Sequence, residues 1–345
     1  MDKHLLLLTV LVSLSWTCCT PFIDIDETGE VFGLTGADLA PPVLCAAGAL
    51  DENSFALEFS EEVYEASLEG IVPPLGEASV EIVSAFLTIH TGEIQLPGKE
   101  YALDLRVKDR AGNSQQLLVR CYGHNPRVPG MLINEFTTRG SSTHPDMVEL
   151  LVLEEGNLAG ACLYEGTSED WEQRIVFPAC EVRSGEFLLV HFKPQGLPEE
   201  QNETEDTGLS GGLDASPDAR DFWVDQGSGL SGNNGVISLY RDPFGEIMDA
   251  VLYSNRTSAS DEDYRGFGST TVMLRADYLS DLGAWTGESL PLCPEDAVNP
   301  EESTATRSLC RSSDSQDSNS RQDWHTVPTG AYSFGAINSD ELYEP

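Results

Sequence analysis

The stretch Tyr101-Ala102-Leu103-Asp104-Leu105-Arg106-Val107-Lys108 constrains the fold more than any other in the chain. Every odd position is apolar and most even ones are charged, a period of two that suits a strand with one buried face. It runs into Asp109-Arg110-Ala111-Gly112-Asn113, where glycine and asparagine accept a left-handed backbone at little cost, so a tight turn should follow. Leu117, Val119 and Cys121 then share one face of the returning strand, and residues 55–60 alternate in the same way upstream. Asp109 and Asn113 are expected to hydrogen-bond their own turn, with a calcium role as the other use of such a pair.

Pro126 and Pro129, with Gly123 and Gly130, form a short stiff linker, after which strand signals resume at once. They lie at residues 131–136, 147–152, 158–163, 184–190, 235–240 and 245–251, separated by turn residues. Short apolar runs at such intervals predict a second β-sandwich, and no helix is needed to explain them. A chain of 345 residues with 40% hydrophobic content can bury two such cores. The expected fold is therefore all-β, with two β-sandwiches in tandem over residues 41–125 and 130–338, ending in a tail at 339–345. Residues 194–221, rich in Pro, Glu, Asp and Gly, are expected to form a mobile acidic insertion in the second sandwich.

Charge narrows the partners. Nineteen Lys and Arg against 58 Asp and Glu give a formal charge of −39, which repels phosphate backbones and excludes nucleic acid as a partner. Such acidity suits a solvated surface or divalent cations.

Residues 5–14 are an apolar run of signal-peptide length, short of the roughly 18 residues a membrane-spanning helix needs. Export is expected, with residues 1–17 as signal peptide and 18–40 as linker. Cys18 and Cys19 follow closely. This arrangement resembles a bacterial lipoprotein signal, in a loose spirochaete-like form because Trp16 and Thr17 stand where small residues are usual. The resemblance implies lipid on Cys18, or failing that Cys19. The chain would then be anchored at the periplasmic or surface face of a bacterial membrane without crossing it; a plain secretory peptide is the alternative.

Six cysteines remain, and an even number in an exported chain suits disulfides. Neighbourly pairing would join Cys45 to Cys121, Cys162 to Cys180 and Cys293 to Cys310. No C-x-x-C and no histidine at ligand spacing supports zinc, while buried unpaired thiols are the other reading.

Two family resemblances follow from these residues. Residues 41–125 resemble bacterial Ig-like domains of secreted surface proteins, through Leu57-Glu58-Phe59-Ser60-Glu61-Glu62-Val63 and then the run from Leu96 to Asn113. The second half resembles the lamin-tail domain, an Ig-like sandwich, in five elements in order. These are Leu132-Ile133-Asn134-Glu135 with Val148-Glu149-Leu150; residues 157–163; Phe177-Pro178 with residues 184–190; residues 236–253; and Ser308-Leu309-Cys310-Arg311 with Asp323-Trp324 and Gly335-Ala336-Ile337-Asn338. The usual Asn after the Glu149 strand is absent and Ala161 replaces an aromatic. Both resemblances imply spacer or binding modules without catalytic residues.

Catalytic motifs are present only as strings. Gly208-Leu209-Ser210-Gly211-Gly212 spells a nucleophile elbow but lacks the flanking strand and helix, and Gly227-Ser228-Gly229-Leu230-Ser231-Gly232 leads into a strand. The six histidines are scattered, and His191 reads as a packed side chain. No enzyme and no cofactor are expected. Asp314, Asp317, Asn319 and Asp323 place oxygen ligands in one short loop of the kind calcium prefers, although the EF-hand glycine and glutamate are missing. Residues 24–29 offer a weaker set. The function expected is a non-catalytic envelope lipoprotein that binds a protein or glycan, or supports structure. The alternatives are an accessory part of a secreted nuclease or phosphatase, or a calcium-dependent surface protein.

Overall fold

The computed structural model describes residues 38–345. The signal peptide, Cys18, Cys19, most of the 18–40 linker and the 24–29 acidic set lie outside the described residues. No helix among the described residues is long and apolar enough to cross a membrane.

The first region has seven strands: β1 (Leu44–Asp51), β2 (Ser54–Phe59), β3 (Glu65–Val72), β4 (Ala78–Val83), β5 (Phe86–Thr91), β6 (Glu100–Lys108) and β7 (Ser114–Tyr122). Sheets in the order β1-β2-β5-β4 and β3-β6-β7 face each other. The period-two reading holds: Tyr101, Leu103, Leu105 and Val107 point inward and join Phe55, Leu57 and Phe59 in one apolar core. The turn forms as expected. Asp109 Oδ1 accepts from Gly112 N at 2.6 Å and Asn113 N at 2.8 Å, Oδ2 accepts from Asn113 Nδ2 at 2.7 Å, and Gly112 sits at φ 98°.

The second region contains β8 (Met131–Thr137), β9 (Met147–Val152), β10 (Gly156–Asn157), β11 (Cys162–Gly166), β12 (Trp171–Val176), β13 (Glu181–Val182), β14 (Phe187–His191), β15 (Arg220–Trp223), β16 (Asn234–Tyr240), β17 (Ile247–Ser254), β18 (Leu309–Arg311) and β19 (Trp324–Thr326). A four-stranded sheet, β12-β11-β16-β17, and a six-stranded sheet, β15-β14-β9-β8-β18-β19, enclose a second core. Here the central strands are buried on both faces, and all seven residues of β8 are buried, whereas the edge strand β12 stays largely open. The closing segment belongs to this body, since Leu309 and Trp324 are buried in it, although Tyr332 stays 41% exposed.

One expectation fails. A helix, α1 (Thr270–Asp281), packs Val272, Ala276 and Leu279 into the second core. Ser269 caps it by accepting from Val272 N. Its buried face also carries Arg275, whose charge is met by Asp170 at 2.9 Å and Glu172 at 2.6 Å. A charged residue within the apolar stripe hid the helical period.

The two bodies meet closely. Asn125 Nδ2 donates to Asn157 O at 2.7 Å and Ala159 O at 2.8 Å, and a Cβ at Gly98 would stand 2.3 Å from Gly160 N.

Candidate functional site

Ion pairing and burial concentrate where the closing segment crosses β8 and β9. A bulge at Asn134 sets Glu135 opposite Glu149 in the ladder, and both side chains are fully buried. Glu135 accepts from Ser308 Oγ, from Ser333 N at 3.0 Å and from Ser333 Oγ at 2.7 Å. Glu149 accepts from Asn134 Nδ2 at 2.8 Å and Gly335 N at 2.6 Å. Asn338 Nδ2 completes the cross-tie by donating to Asn134 O at 3.1 Å and Arg311 O at 3.0 Å. Burial raises the Glu135 carboxyl above its usual range; burial and then the charge of Glu135 push Glu149 well above it. Every hydrogen bond these two carboxyls make is to the chain itself.

The expected calcium set resolves differently. Arg311, on β18, is fully buried, donates from Nε to Ile133 O at 2.8 Å, and reaches Asp249 from Nη2 at 3.2 Å. Its Nη1 donates to Asp317 Oδ1 at 3.1 Å and Asp323 Oδ2 at 3.3 Å. Asp314 instead accepts from Ser312 Oγ at 2.7 Å, and Asn319 Nδ2 donates to Gly283 O at 3.2 Å. The four residues do not converge on a shared point, and the guanidinium takes the place in which a cation was expected. Burial pushes the Asp249 carboxyl up to about 7 against the pull of Arg311. Among the described residues, the metal-ligating atoms that do gather within 4.8 Å belong to Asp38, Glu61 and Asp109, and both Asp109 oxygens already serve the turn.

The expected disulfides are likewise corrected, because all six cysteines are free. Cys45 is the extra residue of a bulge between Leu44 and Ala46, which turns its thiol to solvent while Cys121 points into the core. Cys162 packs with Tyr164 and Tyr240 on one side of its sheet, whereas Cys180 lies in the core on the other. Cys293 Sγ lies 3.3 Å from Asp296 Oδ2, and Cys310 Sγ 3.6 Å from His325 Nε2. Burial pushes the Cys121 and Cys162 thiols up to about 12.

The acidic insertion is also folded down. Glu203 is fully buried and accepts from Ser210 N at 2.8 Å and Asp221 N at 3.0 Å. Ser210 Oγ accepts from Trp223 Nε1 at 2.9 Å, so its hydroxyl engages an indole and no base. His191 is packed as read from sequence: it stacks on Trp223 at 3.9 Å and bonds Asp221 Oδ1 at 2.7 Å.

What stays open is a cleft of about 230 Å³ between the insertion and the closing segment. Thr137, His144, Met147, Asp214, Ser216, Tyr332 and Phe334 line it. His144 Nδ1 and Asp214 Oδ1 lie 2.9 Å apart. A wider cleft of about 680 Å³ runs past Arg127, Arg183 and Arg220, two of which are neutralised by Glu181 at 2.9 Å and Glu186 at 3.2 Å. Neither the acid pair nor the His144–Asp214 pair was found from sequence. Their partners lie far apart in the chain, and the only signal was an arginine and two glutamates inside otherwise apolar strand runs.

A protein-family model described as TP_1001_2nd, protein second domain, matches residues 129–326. An uncharacterized protein of Treponema pallidum (strain Nichols) is 28% identical over 233 residues, 65% of this chain and 59% of its own length, so the chain spans under two thirds of that relative. Among solved structures, the chain is similar to the N-terminal part of the bacterial S-layer protein SbsC, with a TM-score of 0.22 and 12% identity over 62% of this chain and 44% of that one. The structure of surface layer protein SbsC, domains 1–6, scores 0.23 at 12% identity over 62% and 41% of the two chains.

Proposed function

The chain belongs to the TP_1001 protein second domain family, and from that premise we propose that it is an exported, non-catalytic binding module of a bacterial cell envelope. In this reading residues 1–17 direct export, Cys18 or Cys19 carries the lipid that holds the chain to the membrane, and a lamin-tail-like sandwich follows an Ig-like one. The observation that carries it is the use made of the reactive groups. Glu135, Glu149, Asp249, His191 and Arg311 are all buried and spend their hydrogen bonds within the chain, while the accessible cleft offers aromatic and hydroxyl surface. Groups engaged in this way lock a scaffold, which suits recognition better than turnover.

The full chain in detergent, immobilised and presented with envelope and host-matrix fractions with and without calcium, should retain a defined protein or glycan. Hydrolysis of an ester or phosphodiester panel by the same preparation would overturn the reading. Detergent partitioning with mass spectrometry of the native N-terminus tests the anchor, which a mature chain beginning at or after Thr20 would remove.

A further inference from the structure

The geometry points to the 230 Å³ cleft as a site for one neutral sugar ring, a ligand class that deepens, and rests on, the binding reading. Three segments build it: the end of β8 and start of β9, the insertion turn at Asp214 and Ser216, and the strap carrying Tyr332 and Phe334. The strap is held from behind. Ser333 and Gly335 hydrogen-bond the buried acid pair, so the alternate residues, Tyr332 and Phe334, present their rings to the cleft from a fixed backbone. Phe334 packs on Met147 and Ala219, whereas Tyr332, 6.1 Å away between ring centres, is left 41% exposed. An aromatic ring left wet in a cleft wall can take the apolar face of a ligand.

Opposite chemistry stands beside the rings. Asp214 is held at φ 60°, a left-handed conformation uncommon for a residue other than glycine, and Oδ1 meets His144. Its Oδ2 and His144 Nε2 have no hydrogen-bond partner among the described residues, leaving an acceptor and a ring nitrogen for neighbouring hydroxyls. No Lys or Arg lines the cleft, so a phosphate or carboxylate would meet Asp214 without compensation. The volume lies below the roughly 300–1,000 Å³ of drug-sized pockets, which limits the occupant to about one ring. A ligand that is uncharged, apolar on one face and rich in hydroxyls at its rim is a pyranose.

Saturation-transfer NMR on the full chain in detergent, with glucose, galactose and N-acetylglucosamine as separate probes, reads this directly. At least one should receive saturation on its ring protons. Tyr332→Ala should weaken that binding at least tenfold, Asp214→Asn should weaken it less, and Arg183→Ala in the wider cleft should leave it unchanged. Should Tyr332→Ala lower the melting temperature, Ala305→Trp replaces it: Ala305 also lines the cleft, and an indole there should fill it and abolish transfer. Silence from all three sugars, equal transfer in the cleft variants, or saturation of a proline-rich peptide alone would overturn the inference. If sugars fail while the immobilised chain still retains envelope material, the sugar site falls and the binding reading stands.

Discussion

The two β regions solve burial in opposite ways. The first keeps all but one of its charges at the surface: its buried polar residues are Ser54, Gln95 and Asp109, and Asp109 is satisfied by residues three and four positions away. The second buries Glu135, Glu149, Asp221 and Arg311 completely, and the bonds that satisfy Glu135 and Glu149 include Ser308, Ser333 and Gly335, 173 to 198 positions along the chain. A sandwich with one wet face per sheet needs only apolar alternation. One whose sheets are also covered from outside must bring partners for every charge it covers, and it takes them from its closing segment.

Cutting the chain after Arg307 should break the contrast most severely. Loss of β18, β19 and the strap takes Ser308 and Ser333 from Glu135, Gly335 from Glu149 and Arg311 from Asp249, so the second region should unfold while the first keeps its melting transition. Calorimetry resolves the two; a truncated chain that melts like the full one would show the cross-tie to be dispensable.

Arg311→Ala attacks one node of the same network. It leaves Asp249, Asp317 and Asp323 facing an empty space, and should cost the second region about 3–5 kcal/mol in chemical denaturation. Arg311→Met combined with Asp249→Leu should recover much of that loss, because an apolar pair needs no partner.

pH should move the two regions in opposite directions. In the second, the raised carboxyls of Glu135, Glu149 and Asp249 make the folded state hold protons more tightly. That contribution is complete below about 4 and is lost as pH rises towards about 7 for Asp249. In the first, hydrogen bonds hold the Asp51 carboxyl below its usual range, as they do for Asp109 despite its desolvation. Its stability is therefore present above about 4 and lost as pH falls. Melting followed from about pH 4 to 7 should show the second transition falling while the first holds, and Glu135→Gln with Glu149→Gln should flatten the former.

Smaller effects sharpen the boundary between the regions. Gly98→Ala combines a φ of 65° with a Cβ 2.3 Å from Gly160 N, and should cost about 1–2 kcal/mol or loosen the junction, visible as hydrogen exchange at residues 157–160. Lys108→Ala removes an exposed pair with Glu65 at 3.3 Å and should change the first transition by less than about 1 kcal/mol.

Residues 101–113 carried their own structure in the sequence. A strand with one face in a core announces itself by alternation, and Asp109 and Asn113 lie within reach of each other however the rest folds. The same holds for the positions of β8, β9, β14, β16 and β17, read from short apolar runs between turn residues. Tertiary structure alone decided the roles of the polar residues inside those runs. Glu149 between Val148 and Leu150 looks like the outward residue of a half-buried strand until β8 and the strap cover it. Cys45 and Cys121 suited a bridge by spacing, yet one bulged residue turned Cys45 to solvent. The aspartates at 317 and 323 suited a cation, and an arginine from a neighbouring strand supplied the charge. The physical reason is range: alternation and turns depend on neighbours a few residues apart, whereas the fate of a buried charge depends on which distant segment arrives to meet it.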